Sequence, residues 1–204
     1  MADSKSKRFG LGWTLITAVG LGAGMVAGLI LGGPIAAVVG MMLVTPAVTC
    51  LVGGILGLSQ LHHMRSLVAR PYQWVVASCV GLGAGLALGV VVVEQGGRVL
   101  TGHAMNVARV GVLGRALSFA VVGTISGLLL GMTQSLVLRR SAVRVHGWAS
   151  ATIFALGLGF PLSSLAVDTL LGGVVSPRGV VAFVLLAGLI LGAVTVRPLR
   201  RAAG

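Results

Sequence analysis

Six long apolar stretches limit what this chain can fold into. We place them at residues 10–32, 35–58, 74–95, 112–136, 148–171 and 179–197. An α-helix of about 20 residues is roughly 30 Å long, which matches the hydrocarbon core of a bilayer. Only 9% of the residues are charged, against about 25% in soluble domains. The sequence therefore predicts an all-α polytopic membrane protein with six transmembrane helices.

The odd-numbered stretches share one pattern. Each opens on a tryptophan, Trp13, Trp74 or Trp148, and reaches a glycine-rich segment at the same spacing. Two of them contain the string VGLGAG. Similarity at a fixed spacing is the signature of an internal repeat.

The even-numbered stretches also resemble one another. Gln60 and Gln134 each precede the next tryptophan by 14 residues, and Thr195 takes the same place in the last stretch. The chain is therefore interpreted as a single membrane domain of three tandem two-helix repeats. The repeats cover about residues 10–70, 71–144 and 145–204, and the second carries an inserted outer loop at 96–110.

The basic residues predict the topology. The two ends of the chain and the loops after the second and fourth stretches hold 11 of the 15 Lys and Arg residues, and the other loops hold 4. Cationic loops remain in the cytoplasm, so both termini are expected there.

The net charge of +12 is thus explained without nucleic acid. We expect anionic lipid headgroups as partners on this side. Arg139 and Arg140, with Trp13, Trp74 and Trp148, are predicted interface anchors.

The glycines predict how the helices associate. They recur every fourth residue, so they lie on one face of a helix. Small residues on a helix face allow the close backbone approach that holds membrane helices together. The predicted packing positions are Gly20, Gly24, Gly28, Gly81, Gly85, Gly123, Gly127 and Gly131.

The sequence contains no motif that carries chemistry. It lacks GxSxG, HExxH, CxxC and DxD, and no charged residue or histidine lies near the middle of a stretch. We therefore predict no catalytic, metal-binding or cofactor-binding residue, and no enzyme.

Glu94 and Asp168 are expected at the outer ends of their helices, solvated or paired with Arg98, Arg109 or Arg178. Gln60 and Gln134 are the polar positions that the repeat retains, either lining a polar vestibule or bonding a neighbouring helix.

The pattern GxxxGxxQxxxLRR, followed by a basic loop and a tryptophan, resembles repeats in uncharacterised multi-pass membrane proteins of bacteria. The residues that carry it are Gly127, Gly131, Gln134, Leu138, Arg139, Arg140 and Trp148. The resemblance implies a location in the bacterial inner membrane and no particular activity.

Two functions fit these features. The first is a non-enzymatic structural or accessory subunit of a larger membrane complex. The second is a small permease or channel for a neutral or lipid-like solute, with its path along the axis between the repeats. A cavity lined by Thr49, Thr124 and serines would favour transport, and a dry axis would favour the structural role.

Overall fold

The computed structural model describes the backbone of residues 2–39, 41–102, 110–141, 145–173 and 176–203. These residues are almost entirely helical and contain no strand. The helices are α1 (Ala2–Val39), α2 (Met41–Met64), α3 (Pro71–Thr101), α4 (Val112–Arg140), α5 (Trp148–Leu171) and α6 (Pro177–Ala203). Each contains a segment of 19 to 30 residues that is long and apolar enough to cross a membrane. The predicted all-α fold, with six helices able to span a membrane, is confirmed.

Two predicted boundaries are wrong. Helix α1 continues through Pro34 to Val39, so it includes residues 35–39, which the sequence analysis placed in the second stretch. One missing N–H is tolerated within an apolar helix. Helix α3 continues to Thr101, which makes Gly96–Thr101 helical and not part of a loop. Residues 103–109 of the predicted outer loop lie outside the described residues.

The helices form a closed ring. Among the described residues, each helix packs against the helices before and after it in the chain, and α6 packs against α1. Neighbours are antiparallel, as the contacts of α1 with α2 illustrate: Gly24 faces Val52, and Gly28 faces Val48. One end of the ring therefore carries the first turns of α3 and α5 and the last turns of α2 and α4. We call it the tryptophan end.

Glycines lie at the contacts between neighbouring helices. A Cβ on Gly85 would lie 2.5 Å from the Cα of Ser126, and one on Gly127 would lie 2.8 Å from the Cα of Ile153. At the closure of the ring, a Cβ on Gly188 would lie 2.6 Å from the Cα of Ala18. The eight predicted packing glycines all approach a neighbouring helix in this way: Gly20, Gly24, Gly28, Gly81, Gly85, Gly123, Gly127 and Gly131.

Large apolar side chains fill the inside of the ring. One buried cluster includes one leucine from each of the six helices: Leu21, Leu56, Leu82, Leu130, Leu156 and Leu191. Phe160 and Phe183 extend this cluster, with ring centroids 5.4 Å apart. A second buried cluster lies at the tryptophan end.

Candidate functional site

The tryptophans of the three odd-numbered helices meet inside the ring. The ring centroid of Trp148 lies 6.2 Å from that of Trp13 and 5.6 Å from that of Trp74, both edge to face. None of the three is more than 2% exposed. Edge-to-face contact suits the charge distribution of aromatic rings. Together the indoles close one end of the bundle.

Gln60 joins three helices beneath this cluster. Its Oε1 accepts a hydrogen bond from Trp74 Nε1 on α3 at 3.1 Å. Its Nε2 donates to Thr17 Oγ1 on α1 at 3.0 Å. The side chain is 3% exposed, and both ends of its amide are hydrogen-bonded, as burial requires.

Gln134 on α4 makes the same pair of bonds with α3 and α5. Its Oε1 accepts from Trp148 Nε1 on α5 at 3.1 Å. Its Nε2 donates to Ser78 Oγ on α3 at 2.8 Å. Ser78 stands four residues after Trp74, as Thr17 stands four residues after Trp13. The polar partners therefore recur at equivalent positions.

On α6, a threonine takes the place that a glutamine has on α2 and α4. Thr195 on α6 accepts the hydrogen bond of Trp13 Nε1 at 3.0 Å, and its own hydroxyl donates to Leu191 O. Thr152, the hydroxyl four residues after Trp148, bonds the carbonyl of Trp148 at 2.9 Å. Each indole N–H is thus satisfied, but no amide bridges α5 and α6 at this level.

These contacts change the role given to the tryptophans. Anchors of an aromatic belt face lipid headgroups, whereas Trp13, Trp74 and Trp148 face the interior of the protein. The prediction of interface anchors is therefore wrong for the direction of these side chains. The indoles turn inward because their N–H groups find acceptors on Gln60, Gln134 and Thr195. Arg139 and Arg140 are exposed at the same end.

One helical turn from Gln60 and Gln134, the inside of the ring is apolar. Leu56, Leu82 and Leu156 have 0% of their surface accessible and Leu130 has 1%, so no water-sized space opens beside them. Thr49 lies at the contact of α2 with α3, where its hydroxyl bonds Gly83 O at 3.1 Å. Thr124 is exposed on the outer surface. Neither threonine lines the axis.

Polar groups gather again at the opposite end. The side chain of Asp168 on α5 is 3% exposed and pairs with Arg115 on α4, with Nε and Oδ2 3.1 Å apart. The sequence did not indicate Arg115 as this partner. About one turn before Asp168, the hydroxyls of Ser163 and Ser164 are fully buried without a hydrogen-bond partner among the described residues. Glu94 is exposed on α3.

The remaining candidate ligands do not form a metal site. No group of three or more His, Cys, Asp or Glu side chains comes together within the described part of the chain. Cys50 and Cys79 are free thiols in contact across α2 and α3. The ring of His63 stacks edge to face with Phe9 and Trp13. Its contacts are aromatic ones.

Sequence reasoning missed the hydroxyl partners of the glutamines. A signal for them was available, because a Thr or Ser stands four residues after each repeat tryptophan: Thr17, Ser78 and Thr152. That spacing puts the hydroxyl one helical turn from the indole. Comparison with known proteins adds no family: no family model, curated protein or solved structure matches this chain.

Proposed function

We propose that this chain is a non-enzymatic integral membrane protein that serves as a structural or accessory subunit of a larger membrane complex. The observation that carries the proposal is the filled axis. Leu56, Leu82 and Leu156 have no accessible surface below the glutamines, and three indoles close the tryptophan end. A rigid, dry bundle suits a scaffold better than a solute path.

The same proposal includes the membrane and the orientation. Six helices of sufficient length and hydropathy support a multi-pass protein. The excess of Lys and Arg at the tryptophan end favours a cytoplasmic location for that end and for both termini. The bacterial inner membrane is proposed from the sequence resemblance. Anionic headgroups are the expected lipid partners at this surface.

Purification from native membranes tests the accessory role. The tagged chain, extracted in a mild detergent, is expected to elute with one or more membrane proteins in fixed stoichiometry. The matched control carries Gly127→Leu, which places bulk against the backbone of Thr152 and Ile153 and should disturb the fold. Recovery of the native chain as a lone, monodisperse protein from several detergents would contradict the proposal.

A permease for a small neutral solute is the second candidate. Ser163 and Ser164 favour it, because buried hydroxyls without partners are costly unless something else occupies their hydrogen-bonding positions. Both lie inside the ring between the apolar core and the ion pair of Arg115 and Asp168. Proteoliposomes swelling in glycerol or erythritol faster than protein-free vesicles would support this function. Replacing both serines by alanine should then abolish the difference.

A further inference from the structure

Two adjoining depressions lie between α3 and α4 at the tryptophan end. One has a volume of about 410 Å³ and an almost entirely apolar wall. The other has a volume of about 340 Å³ and contains two arginines. Gln73 and Arg140 line both of them, so the two form one continuous surface.

The apolar depression opens outward. Val76, Val80 and Leu136 line it and are each about half exposed, at 51 to 56% of their surface. From Tyr72 to Val80 the groove follows α3 for a rise of about 12 Å along the helix axis. In a membrane this outer face contacts acyl chains, since the ring buries its opposite face.

The basic depression is held together by a contact between two loops. The backbone N–H of Ala69 donates to Ser141 Oγ at 3.1 Å. The Ser141 hydroxyl in turn donates to Val137 O at 2.9 Å. These bonds join the start of α3 to the end of α4, so that Arg70 and Arg140 line the same depression.

Neither arginine has a counter-ion from the described part of the chain. The sequence contains three acidic residues, Asp3, Glu94 and Asp168. Glu94 and Asp168 lie toward the far ends of α3 and α5. Asp3 belongs to α1, which packs against α2 and α6 and not against α3 or α4. Within the described residues, these two exposed guanidinium groups are therefore available to negative charge from another molecule.

We propose that this surface binds one anionic phospholipid, with its phosphate between Arg70 and Arg140 and one acyl chain along Val76 and Leu136. The proposal rests on the membrane location in the proposed function, but holds for either the accessory or the permease role. Free phosphate would use only the basic depression, whereas a phospholipid also fills the apolar groove. The side chain of Gln73, at the junction, can donate to the glycerol ester oxygens.

Native mass spectrometry of the full chain in detergent tests the arginines. Phosphatidylglycerol and phosphatidylcholine with identical acyl chains are titrated separately. We expect one tight phosphatidylglycerol site and at least tenfold weaker phosphatidylcholine binding. Arg70→Gln with Arg140→Gln should weaken phosphatidylglycerol binding by at least tenfold, because each cation near an anionic surface contributes roughly fivefold.

A matched double variant, Arg65→Gln with Arg197→Gln, removes the same charge from exposed positions outside the groove. It should change the affinity by less than about threefold. Equal losses in the two double variants would overturn the proposal and indicate general charge attraction. Equal binding of the two phospholipids would overturn it as well.

The acyl chain is tested separately. Leu136→Trp should fill the groove and weaken phosphatidylglycerol binding by at least fivefold. Leu158→Trp, at a similarly exposed position on α5, should leave the affinity unchanged. Inorganic phosphate that competes at concentrations similar to those of the lipid, or an affinity insensitive to Leu136→Trp, would overturn the lipid as occupant. Partner co-purification by these variants is measured in parallel, so failure of the lipid site is distinguishable from failure of the accessory role.

Discussion

At the scale of single residues, the glutamines show why an amide is used at these positions. An amide carries an acceptor and a donor at opposite sides of one planar group. Gln134 uses the acceptor for the indole of Trp148 and the donor for the hydroxyl of Ser78. A leucine would fit the volume but satisfy neither partner. A hydroxyl such as Thr195 satisfies the indole, yet reaches no hydroxyl on the next helix.

We predict that Gln134→Leu lowers the free energy of unfolding by about 1–2 kcal/mol, because it leaves two buried partners unpaired. Steric-trap or thermal unfolding in detergent measures the change. Gln95→Leu, at an exposed position on α3, is the matched control and should stay within about 0.5 kcal/mol. Indole fluorescence should also change in Gln134→Leu and not in the control. Equal stability of both variants would contradict the hydrogen-bonding role.

The ion pair at the opposite end makes a second prediction. Asp168→Leu leaves the largely buried guanidinium of Arg115 without this carboxylate, and should cost about 3 kcal/mol. The double variant with Arg115→Leu removes both charges and should be more stable than Asp168→Leu alone. Glu94→Leu, at an exposed carboxylate, should cost little. The same unfolding assay applies, and a double variant less stable than the single one would refute the coupling.

At the scale of helices, glycine sets how closely the backbones approach. The helices of a membrane bundle gain little from burying apolar surface, so van der Waals contact between backbones has to contribute. A glycine at every fourth position provides a continuous smooth face. Gly81, Gly85 and Gly89 follow one face of α3 against Leu130, Ser126 and Val122 of α4.

Two alanine substitutions on α3 separate packing from helix propensity. A Cβ at Gly85 would meet the Ser126 backbone at 2.5 Å, whereas a Cβ at Gly96 has no atom within 4 Å. Gly85→Ala should therefore destabilise the bundle by about 1–3 kcal/mol through overpacking. Gly96→Ala should be neutral or stabilising by up to about 1 kcal/mol. Thermal unfolding and size-exclusion profiles measure the stability of both variants. A loss of stability in Gly96→Ala but not in Gly85→Ala would contradict the role of Gly85 in helix packing.

Sequence patterns predicted the helices better than their ends. Hydropathy identifies a membrane segment by its apolar length, and the bounds of α5 at Trp148–Leu171 agree with the prediction. Hydropathy carries no information about how far a helix continues beyond its apolar segment. Gly96–Thr101 were therefore given to a loop although they continue α3, and residues 35–39 were given to the second stretch although they continue α1.

At the scale of the whole molecule, the closure of the ring shows which way the tryptophan side chains face. The sequence leaves that direction open. Trp13 and Thr195 lie 182 residues apart in sequence but are joined by a hydrogen bond. A tryptophan near the end of an apolar stretch is equally compatible with a lipid interface and with a protein interior. Only the arrangement of six helices around one axis distinguishes them, because it brings the indoles of Trp13 and Trp74 against that of Trp148.

The same arrangement makes the orientation testable with two single cysteines. In a chain with Cys50→Ala and Cys79→Ala, we place Ser66→Cys beyond α2 and Leu100→Cys in the last turn of α3. Both positions are exposed, and they lie at opposite ends of the ring. The excess of basic residues at the tryptophan end predicts that a membrane-impermeant maleimide labels intact cells at Leu100→Cys. Ser66→Cys should react only after permeabilisation.

The reverse pattern would invert the proposed topology. Labelling of both in intact cells would mean that the ring does not cross the membrane, since its two ends cannot share one side of a bilayer that six helices span.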